Sequence, residues 1–416
     1  MDILRIATAG SVDDGKSTLI GRLLYDTRSI TKDKLDAIEG TSKRKGLDFV
    51  DLSLLTDGLI AEREQGITID VAHIYFSTAS RKYIIADTPG HVEYTRNMIT
   101  GASNCEVSIV LIDARNGVIE QTRRHLFISS ILKIGTIFVC INKMDLIEFD
   151  VKVFDAISEE VKSLAVKMGY EGVIEFIPIV AKDGDHIVDR SKNMVWYKGK
   201  TLLEHLEQTN PHKKDDELPA RLPIQYVIRP HSAAFHDFRG YAGKLSSGKI
   251  NVGDEVVVLP SFKRSTVKKI LHSRKEVLSA GAGDSICIEL NEDIDVSRGN
   301  MIVKADGDFT QANSFVATIA WMEEKLMVPG NNFILQHGTN QVKSKIISIL
   351  NKLDIETMNE SNNIQQFGLN DIGNVTIKTA KPVFVDIYKN NPGNGTFILI
   401  DEFSNNTVAV GFIRSI

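Results

Sequence analysis

The chain has 416 residues, 43% of them hydrophobic, with 49 Lys and Arg against 54 Asp and Glu for a net charge of −5. That length predicts two or three domains with ordinary cores, and the mild acidity argues against a generally nucleic-acid-binding surface. No uninterrupted apolar run approaches a membrane span, no signal-peptide pattern precedes the first strand, and Cys105, Cys140 and Cys287 read as reduced core thiols, so the expected compartment is cytoplasmic.

The first predicted strand, Ile3 to Ala7, runs into Gly10-Ser11-Val12-Asp13-Asp14-Gly15-Lys16-Ser17, and a helix continues through Leu24. Strand, G-x-x-x-x-G-K-[S/T] and helix, in that order, describe a phosphate loop. Backbone N–H groups from Gly10 to Gly15, with the helix start at Lys16, Ser17 and Thr18, would surround phosphate oxygens. Lys16 would neutralise β- and γ-phosphate charge, and the Ser17 hydroxyl would hold Mg²⁺. Lys43-Arg44-Lys45 reads as a solvated loop. Within Glu62–Asp70, Thr68 is a candidate second Mg²⁺ ligand, in contact only while the γ-phosphate is present, which makes an order–disorder switch.

Tyr83-Ile84-Ile85-Ala86 predicts a strand ending in Asp87-Thr88-Pro89-Gly90-His91. Asp87 would hold the Mg²⁺ hydration shell. Gly90 would offer its N–H to a γ-phosphate at a distance that no Cβ permits. Val107–Asp113 reads as a buried strand, and the strand Thr136–Ile141 ends in Asn142-Lys143-Met144-Asp145. A carboxylate accepts only, so Asp145 suits the N1–H and 2-amino donors of guanine and repels the N1 acceptor of adenine. The nucleotide read from this pattern is GTP.

Ile157, Val161, Leu164 and Met168 recur at helical spacing between Asp155 and Gly169, and Val173–Ile179 predicts a strand leading into Val180-Ala181-Lys182. The alternation predicts an α/β domain with a mostly parallel, doubly wound sheet and its ligand at the carboxyl ends of the strands. This GTP-binding domain is expected to span 1–212, closing near Leu202–Leu206 before a charged linker between Pro211 and Pro219. Beyond Leu222, short β-rich runs punctuated by Gly243, Gly248 and Gly253, then a second β-rich stretch from Phe315 to Phe412, predict two β-barrels at 219–308 and 312–416.

A GTPase domain followed by two barrels resembles the translation-factor class of GTPases, the architecture of elongation factor Tu. Gly66-Ile67-Thr68-Ile69 and Asp87-Thr88-Pro89-Gly90-His91 belong to that class. Longer strings are similar to the GTPase subunit of bacterial sulfate adenylyltransferase (ATP sulfurylase): Gly10–Asp26, Glu93–Met98, Thr201–Leu206, Asp237–Gly243, Leu335–Thr339 and Thr396–Asp401. Elongation factors typically have His-Val-Asp-His where this chain has Ser11-Val12-Asp13-Asp14.

The resemblance implies a division of labour in sulfate activation. A separate small adenylyltransferase subunit makes adenosine 5′-phosphosulfate and pyrophosphate from ATP and sulfate, and GTP hydrolysis on this chain drives that uphill step. It implies a heterodimer with that small subunit; some relatives carry a fused adenylylsulfate kinase, which is not expected here, nor is a membrane or nucleic-acid partner. His91 would orient the attacking water, with Lys16 and Thr68 completing the catalytic set. Expected GTP contacts are Gly10 through Thr18, Asp87, Thr88, Pro89, Gly90, His91, Asn142, Lys143, Met144, Asp145, Ala181 and Lys182, with Ser17, Thr68 and Asp87 toward Mg²⁺. Relatives have Ser-Ala where this chain has Val180-Ala181, so the Ala181 N–H is expected to reach guanine O6 without a supporting hydroxyl. The alternative reading is an elongation factor Tu-like carrier that delivers tRNA.

Overall fold

The computed structural model describes residues 2–44, 50–55, 71–88, 95–210, 214–230, 238–273, 275–355 and 357–416. Thr68, Pro89, Gly90 and His91 lie outside the described residues. The chain divides into two compact units, Met1–Pro211 with Ile355–Met358, and His212–Asp354 with Asn359–Ile416.

The first unit is built on a six-stranded sheet among the described residues. Its strands are β1 (Ile3–Ala9), β2 (Ala72–Ser77), β3 (Lys82–Asp87), β4 (Val107–Asp113), β5 (Thr136–Asn142) and β6 (Val173–Pro178), in the order β2-β3-β1-β4-β5-β6. All neighbours run parallel except the edge pair β2 and β3. Every residue of β4 is buried, the pattern of a strand covered on both faces. Helices α1 (Lys16–Asp26), α2 (Lys32–Arg44), α3 (Thr95–Ala102), α4 (Glu120–Ile131), α5 (Val151–Lys167) and α6 (Leu202–Gln208) complete the unit. The strand order reverses beside β1, and the crevice at such a reversal is where doubly wound sheets bind ligands.

Two helices differ from their sequence reading. The Asp155–Gly169 helix starts four residues earlier, at Val151, because Asp150 caps it by accepting the Lys152 N–H at 2.8 Å. Lys43 and Arg44 are not in a loop but in the last turn of α2, exposed, where cations complement the helix dipole. The string Thr201–Glu204 is a capping box on α6: the Thr201 hydroxyl accepts the Glu204 N–H, and Glu204 accepts the Thr201 N–H at 2.7 Å.

The second unit holds two antiparallel barrels, each a closed ring of six strands among the described residues. The first ring uses β7 (Arg221–Ile228), β8 (Gly240–Lys244), β10 (Glu255–Leu259), β11 (Lys263–His272), β14 (Ser285–Leu290) and β15 (Met301–Lys304), closed by β10 pairing with β11. The short strands β9 (Ile250–Asn251), β12 (Lys275–Val277) and β13 (Ser279–Ala280) flank it. The second ring uses β16 (Thr310–Trp321), β17 (Asn332–His337), β18 (Asn340–Leu353), β20 (Ile372–Val385), β21 (Thr396–Ile400) and β22 (Thr407–Ser415), with β19 (Glu360–Ser361) beside β18. Pairing of β17 with β18 closes it. Leu222, Ile224, Val256 and Ile288 help fill the first barrel; Phe315, Trp321, Phe367 and Phe397 help fill the second. Closure removes the unpaired edges that an open sheet would expose. Val257, Leu259, Met301 and Val303, on outward faces of the first barrel, pack against Phe384 of the second.

Candidate nucleotide-binding site

Four parallel strands end at one edge and deliver polar side chains there. Thr8 stands beside Asp87 in register, and Asp113 stands beside Asn142; all four are buried. The Thr8 hydroxyl donates to Asp87 Oδ1 at 3.0 Å, and the Thr88 hydroxyl donates back to the Thr8 carbonyl at 2.5 Å. Thr8 thus orients the acid read as a metal-side group, a role not visible in the motif itself.

The loop between β1 and α1 must pass under Asn142. Gly15 has φ +97°, and a Cβ there would lie 2.5 Å from Asn142 Nδ2, so both conformation and space demand glycine. No described side chain caps α1 and no acid lies in its first turn, which leaves the positive end of the helix without a counter-charge of its own. Lys16 is buried, and its Nζ donates to the Thr88 carbonyl. Burial pulls its pKa down, while the charges of Asp87 and Asp14 oppose that pull. The Asp14 carboxylate accepts the Ser11 N–H at 2.6 Å. Burial raises the Asp14 pKa to about 6; the Ser11 N–H counters, and the Asp113 charge adds to the rise.

The other half of the site is tied to this loop through side chains. Asn142 donates from Nδ2 to the Asp14 carbonyl at 2.7 Å and accepts the Ala181 N–H on Oδ1 at 2.9 Å, joining three loops. Lys143, at φ +61°, donates to the Asp13 carbonyl at 2.5 Å and pairs with Asp113 at 3.0 Å. Arg115 grips the same carboxylate at 2.6 and 3.0 Å. Burial would raise the Asp113 pKa, but the bonds from Arg115 and Lys143 outweigh it and hold the group at about 2. Asp113 is the anchor that sequence reasoning missed, and the available signal was an acid ending a largely apolar strand, as Asp87 does.

Asp145 sits in the 3-10 turn Met144–Ile147, partly buried, and its carboxylate accepts no hydrogen bond from any described residue. Met144 is fully buried, so only its backbone faces the site. Lys182 is exposed, and its carbonyl lies 3.4 Å from Arg22 Nη1. The loop after β6 needs no serine hydroxyl. Val180 is buried, the Gly184 N–H donates to its carbonyl at 2.8 Å, and His186 Nδ1 donates to the Pro178 carbonyl at 2.9 Å. His186, which carries no role in the sequence reading, is a buried strut whose ring meets Tyr197. On α4, buried His125 has an Nδ1 with no partner among the described residues, and burial with the nearby Lys16 charge lowers its pKa to about 3. Among the described residues no cluster of His, Cys, Asp and Glu could hold a metal by itself.

A glycine-demanding loop leading into a helix without a side-chain cap, at the carboxyl ends of parallel strands, is the arrangement of a phosphate-binding nucleotide domain. Residues 1–212 match the family described as the elongation factor Tu GTP binding domain, and residues 314–414 match the GTP-eEF1A C-terminal domain-like family. A bifunctional enzyme CysN/CysC of Mycobacterium tuberculosis is 45% identical over 99% of this chain and 67% of its own length. Sulfate adenylyltransferase subunit 1 of Bacteroides fragilis is 48% identical over 99% of this chain and 86% of its own. That of Salmonella heidelberg is 45% identical over 100% and 86%. The chain belongs to the sulfate adenylyltransferase subunit 1 family. Among solved structures, one of sup35 complexed with GMPPNP covers 100% of this chain and 94% of its own at 24% identity and a TM-score of 0.46.

Proposed function

We propose that this protein is the GTP-hydrolysing subunit of a cytoplasmic sulfate adenylyltransferase, paired with a separate small subunit that performs adenylyl transfer. The observation that carries the nucleotide half of this reading is the pairing of an uncapped α1 N-terminus with the unclaimed Asp145 carboxylate. One end suits a phosphate tail; the other accepts from guanine N1–H and its 2-amino group. Membership of the family carries the sulfate half.

Residues Gly10 to Thr18 cradle the phosphates, with Lys16 beside the β- and γ-phosphates. Asn142, Lys143 and Asp145 hold the base, and the Ala181 N–H faces its edge, shared with Asn142. Mg²⁺ keeps several waters and takes few protein ligands beside phosphate oxygens, which fits the Ser17 hydroxyl and the Thr8-oriented Asp87. Bound there, the ion would neutralise phosphate charge. Thr68 would join it only with the γ-phosphate present, and His91 would orient water. ATP and sulfate give adenosine 5′-phosphosulfate and pyrophosphate, an uphill reaction. GTP can drive it only if the GTP and GDP states differ in their affinity for the partner or its reaction states.

Purified with its small subunit, the protein should hydrolyse GTP faster when ATP and sulfate are both present, and pyrophosphate release should require GTP. Tight aminoacyl-tRNA binding without that stimulation would sink the proposal.

A further inference from the structure

The seam between the two barrels contains a cleft of about 260 Å³. The turn at Gly299 on one side lies within van der Waals reach of Thr339 and Asn340 on the other: a Cβ on Gly299 would stand 3.7 Å from Asn340 Cα. Both walls belong to one compact unit and are locked together by Arg221, whose guanidinium donates twice to Asp386 across the seam, each bond 3.0 Å. The cleft is therefore built into the fold and does not wait for a ligand to assemble it.

Its lining mixes apolar side chains, Leu259, Met301 and Phe384 among them, with polar groups whose charges are of one sign. Arg298 and Lys381 contribute two cations, Asn300, Asn340 and Gln341 contribute amides, and no Asp or Glu lines it. Among the described residues neither cation has a carboxylate partner: Arg298 donates to the Gln225 carbonyl at 3.2 Å, and no described side chain bonds Lys381. The Asn300 side chain spends its oxygen on the Ser297 N–H at 2.8 Å, and among the described residues its NH₂ donors have no partner. Gln341 keeps its own amide in place through Gln336 at 2.8 Å.

Two unanswered cations with spare amide donors form a receptor for negative charge, since charge-assisted hydrogen bonds are the strong ones and cations without counter-charge supply them. Size narrows the ligand. The volume falls just below the ~300 Å³ at which sites for drug-sized molecules begin, so it suits an inorganic anion with residual water better than a nucleoside. We propose that this seam cleft binds a tetrahedral inorganic oxyanion, the chemistry shared by sulfate, phosphate and pyrophosphate. The proposal does not depend on the GTP reading, because every residue it uses lies in the second unit.

The test is calorimetric titration of the full chain with sulfate, phosphate and pyrophosphate, with a non-hydrolysable GTP analogue present to fill the phosphate loop. Saturable binding is expected, strongest for pyrophosphate because it carries the most charge. Combining Arg298→Ala with Lys381→Ala should weaken it about tenfold or more, while Arg298→Lys alone keeps most of it. Both positions are exposed, so the fold should survive, and unchanged affinity for the GTP analogue checks that it does. Failure of the chain to bind that analogue would count against the GTP reading alone. No saturable binding of any of the three ions, or equal affinity in the double variant, would overturn the seam site.

Discussion

Both units bury charged side chains, yet they settle those charges differently. At the barrel seam Arg221 is 2% exposed, and Asp386 answers it with both oxygens. Asn391 and Asn394 then donate to the same carboxylate at 2.9 and 3.0 Å, and Asn391 also reaches Ser247 at 2.9 Å. At the strand ends of the first unit, and among the described residues, the Lys16 ammonium (7% exposed) holds only a carbonyl, the Asp14 carboxylate has one backbone N–H, and the Asp145 carboxylate accepts no hydrogen bond. A network whose charges meet inside the protein locks two bodies together. A network left short of partners costs stability until a ligand brings the missing groups, which is the electrostatic mark of a binding site.

The largest test of that contrast is Arg221→Ala. Removing Arg221 leaves the half-buried Asp386 carboxylate with only its two amide donors, so the second unit should lose about 3 kcal/mol in denaturant unfolding. GTP affinity at low denaturant should hold. An unchanged unfolding midpoint would show that the seam is not what locks the barrels.

Asp145→Asn probes the unanswered side. It replaces one acceptor with a donor facing the guanine donors, so GTP should bind about 100-fold more weakly, and xanthosine triphosphate should be preferred. Nucleotide titration reads both, and unchanged GTP affinity would remove Asp145 from the base site. Asp113→Asn should act more mildly, about tenfold on guanine nucleotides, because Lys143 keeps its bond to the Asp13 carbonyl and loses only its ion pair. An effect equal to that of Asp145→Asn would mean that the anchor and the reader act as one unit.

The smallest effect concerns pH. The Asp14 pKa rises from 3.8 to about 6 in the fold, so folding favours its neutral form. Stability from this group is complete below 3.8 and is lost as pH climbs through about 6. Asp14→Asn, always neutral, should flatten that part of the stability–pH curve and change GTP affinity by less than about tenfold near neutrality. An identical slope in the variant would assign the titration to another group.

Much of the first unit could be read in advance because its signals are local. Apolar runs such as Val107–Asp113 mark strands covered on both faces, and the loop around Gly15 announces its own geometry. Helix α2 escaped because it buries only Ile38 and Ser42, too thin a stripe to show as periodicity, so its basic end looked like a loop. Val180 looked like a lost support because the backbone bonds and the His186 strut that replace the hydroxyl close the loop from positions with no motif. Thr8 and Asp113 were silent for a related reason: each acts on a partner from a different strand or loop.

The sequence by itself determined the element types, the phosphate loop, the choice of guanine and the family, because each rests on residues within a few positions of one another. Tertiary structure decided which strand ends stand side by side. Strand order sets Asp113 next to Asn142, brings Lys143 back to the Asp13 carbonyl, and closes two sheets so that Arg221 meets Asp386 and a cationic cleft opens beside them. Contacts between residues more than a hundred positions apart are products of packing, and no local pattern encodes them.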